Sequence, residues 1–280
     1  VSAERYIEAA ENALEVPLLG GDVTEGVVRV GDTVRRPLNV QSPAIHEYLR
    51  HLEKLGFAEV PRFLGIDGRG REVLTYVPGE MAGRPLHAWA GGEDVLVSIA
   101  CLQRRLHNHS RDVILPAGIA WRPPVHIEGL PQLFARPDVV AHNDMTPENI
   151  IFDEEHVPVG LIDFDLAGPT TRLLDIVTTL RWWAPLCDPI DRDPVLRELD
   201  AAGRMRIFVD AYGLERSERR HLVDLAERRC TRTWHVMHHR AVHDGGGWAR
   251  MWEDGVGDVI RRTQAWLARE RTRLEAALDV

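Results

Sequence analysis

His142, Asn143 and Asp144, then Asn149, then Asp163 within Ile162-Asp163-Phe164-Asp165, are the residues of this chain best equipped for chemistry. An Asp two residues after a His and five before an Asn, with a further Asp beyond a short hairpin, is the set that phosphoryl transfer from a nucleoside triphosphate requires. The first Asp can orient and deprotonate an attacking hydroxyl. The Asn and the later Asp can supply oxygen ligands to Mg²⁺. Particular elements must bring these groups together. Ile150-Ile151-Phe152 and Val159-Gly160-Leu161-Ile162 read as two apolar strands, with residues 153–158 as the polar turn between them. A hairpin of that length places Asn149 and Asp163 at the same end of a strand pair. An ordinary hairpin with polar ends is the plain alternative, and the whole set in register disfavours it.

His-x-Asp-x-x-x-x-Asn followed by Ile-Asp-Phe-Asp resembles the aminoglycoside phosphotransferase and choline kinase branch of the protein-kinase-like superfamily, which carries this form in place of His-Arg-Asp and Asp-Phe-Gly. The likeness is specific over residues 142–165 and partial elsewhere. It implies an α+β, bilobal protein-kinase-like fold, with a small β-rich N-lobe, a larger mainly helical C-lobe, and ATP or GTP with Mg²⁺ between them. It also implies Asp144 as the catalytic residue, Asn149 and Asp163 as metal ligands, and Asp175 as a brace of the catalytic loop.

The N-terminal segments fit that frame in part. Tyr6, Ile7, Ala10 and Leu14 give a weak helical period over residues 4–15. A glycine-rich stretch then runs into the hairpin Val27–Val30, Gly31-Asp32, Thr33–Arg36. Gly21 and Gly26 match the outer glycines of G-x-G-x-x-G, with Val23 in the middle place. A plain hairpin is the alternative, though backbone N–H groups in such a loop can cover phosphates. Ile45, Leu49, Leu52 and Leu55 then mark a helix over 43–56, with Glu47 in its first turns. In the resembling family a carboxylate here pairs with a basic residue of the third strand, usually a lysine. Lys54 is the only lysine of the chain and sits on the helix, so the strand position falls to arginine. Arg36 shares a strand face with Val34 and is the candidate partner of Glu47, with Arg35 the runner-up. The exchange keeps the charge but brings a larger, planar group. Two solvated arginines on an edge strand are the competing reading. Residues 63–66 and 72–77 form another hairpin about Asp67-Gly68-Arg69-Gly70, ending at Pro78-Gly79, the expected boundary between an N-lobe of 1–78 and a C-lobe of 79–280. By resemblance Thr75, Tyr76 and Val77 line the base slot, and Val28 faces the nucleotide from the first strand.

From residue 93 the pattern is helical, with Leu96, Ile99, Leu102 and Leu106 on one face. A further helix begins at Leu173, and residues 217–243 read as one helix bearing His235, His238, His239 and His243. Pairs of His at that spacing can bind zinc, but no carboxylate motif accompanies them, and cleft lining or ring packing is the better reading. Asp244-Gly245-Gly246-Gly247 reads as a flexible loop.

At 280 residues, 44% hydrophobic and 28% charged, the chain is an ordinary globular protein, and no apolar run approaches a membrane helix. A net charge of −9 argues weakly against nucleic acid and is compatible with a cationic acceptor, although a negative balance is also a common solubility device, which is the preferred reading. Cys101, Cys187 and Cys230 are too scattered for a disulfide framework, and with no export signal at Val1–Tyr6 a cytoplasmic location is expected. Together these point to a small-molecule kinase that moves the γ-phosphate of ATP or GTP to an acceptor hydroxyl. A catalytically silent nucleotide binder of the same fold is the alternative, motivated by the missing lysine and middle glycine. A metal-dependent hydrolase using His142, Asp144 and Asp163 ranks last, because it leaves the Asn149 spacing and the N-terminal hairpins unexplained.

Overall fold

Short hairpins closed by tight turns build the N-terminal sheet. In the computed structural model, which describes residues 14–18 and 26–279, five antiparallel strands lie in the order β1-β2-β3-β5-β4. They are β1 (Val16–Pro17), β2 (Val28–Val30), β3 (Thr33–Pro37), β4 (Phe63–Ile66) and β5 (Arg71–Thr75). Gly31 closes β2 onto β3 at φ 59°, a conformation that favours glycine. The register of β3 on β5 sets Arg36 directly opposite Glu72. The first helix, α1 (Ser42–Lys54), buries Ile45, Tyr48, Leu49 and Leu52, and leaves Lys54 exposed at its end. The expected helix over residues 4–15 lies almost wholly outside the described residues; Leu14 and Glu15, which are described, are not helical.

The chain leaves β5 at Thr75, two residues earlier than expected, so Tyr76 and Val77 belong to the connection. Pro78-Gly79 leads into β6 (Glu80–Met81), which pairs with β8 (Ile150–Phe152). Gly79 sits at φ 135°, where a Cβ would lie 2.3 Å from the Phe152 carbonyl oxygen, so no other residue passes this close. After α2 (Glu93–His109), β7 (Val139–Ala141) pairs with β10 (Gly168–Thr170). The hairpin of β8 and β9 (Pro158–Leu161) pairs Ile150 with Leu161.

Helices then follow: α3 (Arg172–Trp183), α4 (Ala201–Tyr212), the short α5 (Arg216–Arg219), α6 (Leu222–His243), α7 (Gly246–Glu253) and α8 (Val256–Ala277). The single helix expected over 217–243 is thus divided. A capping box between Glu215 and Glu218 starts α5, and α6 begins afresh at Leu222. Gly246 and Gly247, expected in a loop, open α7. Helix α2 packs on α4, and α6 packs on α3 and α8. One apolar cluster runs from Tyr48 and Leu52 of α1 through Leu102 and Phe152 to Trp183 and Trp266. The mixed α+β class expected from the motifs is the class observed. Among the described residues no helix is long and apolar enough to cross a membrane.

Candidate active site

The loop from His142 to Asn149, the candidate catalytic loop, follows β7 and is clamped from below. His142 is buried and its Nε2 hydrogen-bonds the Ile162 carbonyl at 2.9 Å, tying the loop to the end of β9. Asn143 sits at φ 62°, strain that a non-glycine residue bears only when its surroundings hold it. Its backbone N–H donates to Asp175 Oδ1 (2.9 Å), and its side-chain amide donates to the Leu166 carbonyl (3.0 Å). Fully buried Asp175 also accepts from Gln103 (2.7 Å) and pairs with His107 (2.8 Å). Burial alone would raise its pKa, but the bonds and charge of His107 and the bond of Gln103 outweigh it and hold the carboxyl below the ordinary range. Asp175 therefore stays ionised and holds the loop, as the resemblance implied. Gln103 and His107 escaped sequence reading, as did the bond of Asn143 to Asp175, since nothing in their spacing ties them to Asp175.

Asp144 faces the cleft above this brace. Burial, opposed in part by His142 and Arg229 and reinforced by Asp163 and Glu148, pushes its carboxyl up to about 6. Asn149 donates its amide to the Asp144 carbonyl (2.9 Å) and to Asp144 Oδ2 (3.0 Å). The backbone N–H of Ile162 donates to the Asn149 carbonyl at 2.9 Å, so Asn149 and Asp163 flank the same end of the β8–β9 pair. Asp163 stands in the left-handed region at φ 59°, with a side chain 42% exposed to the cleft. With the Asn149 side-chain nitrogen committed to Asp144, its side-chain oxygen Oδ1 is left over at the same end of the strand pair as the Asp163 carboxylate. Two hard oxygen donors of this kind fit Mg²⁺.

Arg36 reaches across the cleft from β3. Its guanidinium meets Asp165 at 2.5 Å, Asp163 at 3.4 Å and Glu72 at 3.1 Å. Burial works against its charge, yet Asp165, Asp163 and Glu72 together raise its pKa above the usual arginine value. The expected partner Glu47 is not among them. Glu47 pairs with Arg50 one turn along α1, and the carboxylate that holds Arg36 is Glu72 on the neighbouring strand. The reason is helical phase. Ile45, Leu49 and Leu52 turn inward, which brings His46 rather than Glu47 to the sheet, and His46 Nε2 meets Glu72 Oε2 at 2.5 Å. His46 also stacks on Phe63 with ring centroids 3.6 Å apart. Arg35, the runner-up, is buried on the other face of the sheet. The missed residues, Glu72 and His46, become visible only once β3 and β5 are known to pair.

The remaining nucleotide-site candidates border the same sheet. Gly21 lies outside the described residues, while Gly26 adopts φ 79° beside Pro37. Val28 pairs across to Arg35. Thr75 accepts through its hydroxyl from the Arg62 backbone N–H (2.9 Å), and the Arg29 guanidinium lies 3.7 Å from the Tyr76 ring centre. Val77 packs on β9, where a Cβ at Gly160 would fall 2.4 Å from its Cγ1. Among the described residues no group of three or more His, Cys, Asp and Glu side chains is placed to hold a metal, and on α6 His238 stacks on Trp234.

Comparison with known proteins bears on the fold and the family. Residues 120–216 match the family model described as a phosphotransferase enzyme family. A trifolitoxin immunity protein of Rhizobium leguminosarum bv. trifolii is 30% identical over 290 residues, covering 94% of this chain and 98% of that protein. Among solved structures, a choline/ethanolamine kinase family protein from Mesorhizobium loti superposes with a TM-score of 0.62 at 18% identity, over 96% of this chain and 94% of that one. The GDP complex of aminoglycoside 2'-phosphotransferase-IIIa superposes with a TM-score of 0.53 at 14% identity, over 98% of this chain and 96% of that one.

Proposed function

The chain belongs to the phosphotransferase enzyme family, and from that premise we propose that it transfers the γ-phosphate of ATP or GTP to the hydroxyl of a small molecule. The observation that carries this reading is the meeting of Asp144, Asn149 and Asp163 with Arg36 in one cleft between the sheet and the helices. Residues 1–78 form the nucleotide lobe and 79–280 the lobe of catalytic and acceptor groups. Asp144 Oδ2 is held by Asn149, leaving Oδ1 to take the acceptor proton as the new O–P bond forms and the bond to the β-phosphate oxygen breaks. A carboxyl held near 6 is a better base than an ordinary aspartate and is still ionised at neutral pH. Asn149 and Asp163 would hold Mg²⁺, which when bound neutralises phosphate charge. Arg36, steadied by Glu72, supplies the phosphate contact that lysine usually makes, with residues 75–77 against the base. Positioning and charge stabilisation account for most of the rate gain in such a reaction.

The inward position of Arg36 favours an enzyme over a silent binder. Mg²⁺-dependent nucleotide binding, followed by transfer of labelled γ-phosphate to members of an acceptor panel, tests the reading. Binding without transfer to any acceptor, with Asp144→Asn unchanged from wild type, refutes it. The name of the 30%-identical relative adds a biological proposal: phosphorylating a toxin's hydroxyl would protect the producing cell. Expression of wild type but not Asp144→Asn should then confer resistance on a sensitive strain, and equal resistance from both refutes this.

A further inference from the structure

The flank of the cleft next to Asp144 is basic. Between Arg228 and His243, helix α6 carries four arginines and four histidines and no carboxylate, in a chain whose net charge is −9. Arg229 is half-buried and donates through Nε to Thr178 Oγ1 of α3 at 2.9 Å. Helix α3 is in turn fixed under the catalytic loop, because Trp183 Nε1 donates to the carbonyl of Met145, the residue after Asp144 (2.9 Å). Arg229 is thereby held in the electrostatic reach of both Asp144 and Arg181. Arg181, also half-buried and lying over the Trp182 ring, lines a cavity of about 90 Å³ with Trp182, Pro147 and Glu148 of the catalytic loop.

Among the described residues neither Arg229 nor Arg181 has a carboxylate within salt-bridge distance. The acidic groups nearby are engaged elsewhere: Glu148 by Arg84 (2.5 Å), Asp175 by His107 (2.8 Å) and Asp191 by Arg262 (2.6 Å), while Asp144 is held by Asn149 (3.0 Å) and acts on Arg229 without pairing with it. Asp193, also at the cavity, accepts from the backbone N–H groups of Leu86 and Val195 (both 2.9 Å). Two neighbouring guanidiniums without a direct ion pair repel one another in a partly dehydrated site, Asp144 and Asp175 offset the Arg229 charge only from beyond salt-bridge distance, and an anion between the two arginines would offset their repulsion through charge-assisted hydrogen bonds. A cationic acceptor would meet like charge here instead.

We propose that the acceptor carries an anionic oxygen group, carboxylate or phosphate, bound by Arg229 and Arg181 while its hydroxyl faces Asp144. This deepens the phosphotransfer reading and rests on it for the fate of the hydroxyl; the anion site itself is read by binding alone. The full chain, saturated with Mg²⁺ and the non-hydrolysable analogue AMP-PNP so that the nucleotide phosphate site is filled, is titrated by calorimetry at constant ionic strength. Malonate is the carboxylate probe, sulfate the phosphate probe and choline the cationic control. Saturable binding of malonate or sulfate is expected, whichever binds naming the group, and it should weaken tenfold or more in Arg229→Gln and in Arg181→Gln. Because Arg181 is bordered by an open cavity, its variant stays folded even if Arg229→Gln does not, and unchanged AMP-PNP affinity checks this. Absence of saturable anion binding, anion binding indifferent to both substitutions, or choline binding in its place overturns the proposal. Failure of the phosphotransfer reading shows separately, as absence of Mg²⁺-dependent AMP-PNP binding.

Discussion

Asp144→Asn should stop turnover and, in the same molecule, make the unliganded protein more stable at alkaline pH. Asp144 titrates at about 6 when folded and near 3.8 when unfolded. Between those values the folded state holds the extra proton, so stability falls as pH rises through the window and stays lower above it. A gap of about two pH units corresponds to roughly 3 kcal/mol, an upper bound because the carboxylate retains some contact with solvent. Asparagine removes the charge and keeps the geometry, since its oxygen can still accept from Asn149 Nδ2, now 3.0 Å from Asp144 Oδ2. A gain of about 1–3 kcal/mol is therefore expected at about pH 8, shrinking towards zero at about pH 4. Urea unfolding at the two pH values, without Mg²⁺ or nucleotide, measures it. The wild-type kcat/KM for the acceptor should rise through about pH 6 and then level off, as the base loses its proton. A variant less stable than wild type at alkaline pH, or a difference that does not change with pH, would refute the argument that Asp144 is an unfavourably buried charge.

Arg36→Ala should lower kcat/KM roughly tenfold to a hundredfold by removing a charge-assisted phosphate contact worth about 1.5–3 kcal/mol, and steady-state kinetics with varied ATP would show it. Glu72→Gln should cost about 3 kcal/mol in chemical denaturation by leaving buried Arg36 and His46 short of a partner, whereas Glu47→Gln, which breaks only the exposed pair with Arg50, should stay within about 0.5 kcal/mol; equal effects would restore Glu47 to the site. Asp163→Ala should abolish the Mg²⁺ dependence of nucleotide affinity measured by calorimetry, and an unchanged dependence would place the ion elsewhere. Gly79→Ala should destabilise by about 2–4 kcal/mol, because its Cβ would meet the Phe152 carbonyl at 2.3 Å in a positive-φ conformation; a melting temperature equal to wild type would contradict that packing.

The catalytic loop was legible in the sequence because its chemistry is local. His142, Asp144 and Asn149 lie within one turn, and the hairpin that returns Asp163 to them follows from strand pattern and turn composition. The Arg36–Glu72 pair was not legible, because it depends on which strands pair across 35 residues of intervening chain. The error over Glu47 has the same origin in finer form. One residue along a helix is a rotation of about 100°, so the inward phase of α1 decides between His46 and Glu47, and periodicity alone does not resolve neighbours. Once β5 had supplied the carboxylate, the helix no longer needed one, and a histidine that accepts the same partner could stand in its place.

The acceptor side shows why a total charge misleads where a local one decides. A net −9 is compatible with a cationic substrate, but charges act over about 8–10 Å in physiological salt, so the groups beside the acceptor weigh more than the total. What a hydroxyl acceptor meets beside Asp144 depends on the packing of α6 on α3, which brings Arg229 to Thr178 and within the electrostatic reach of Arg181. Spacing along α6 shows that arginines and histidines are dense there, and only the tertiary contact shows which of them reach the catalytic loop. The same neighbours act on both halves of the site: Arg229 opposes the rise in the Asp144 pKa, and an anion bound to Arg229 would cancel that opposition. A bound anionic acceptor would therefore raise the Asp144 pKa further and strengthen it as a base, so binding and base strength are coupled through one arginine.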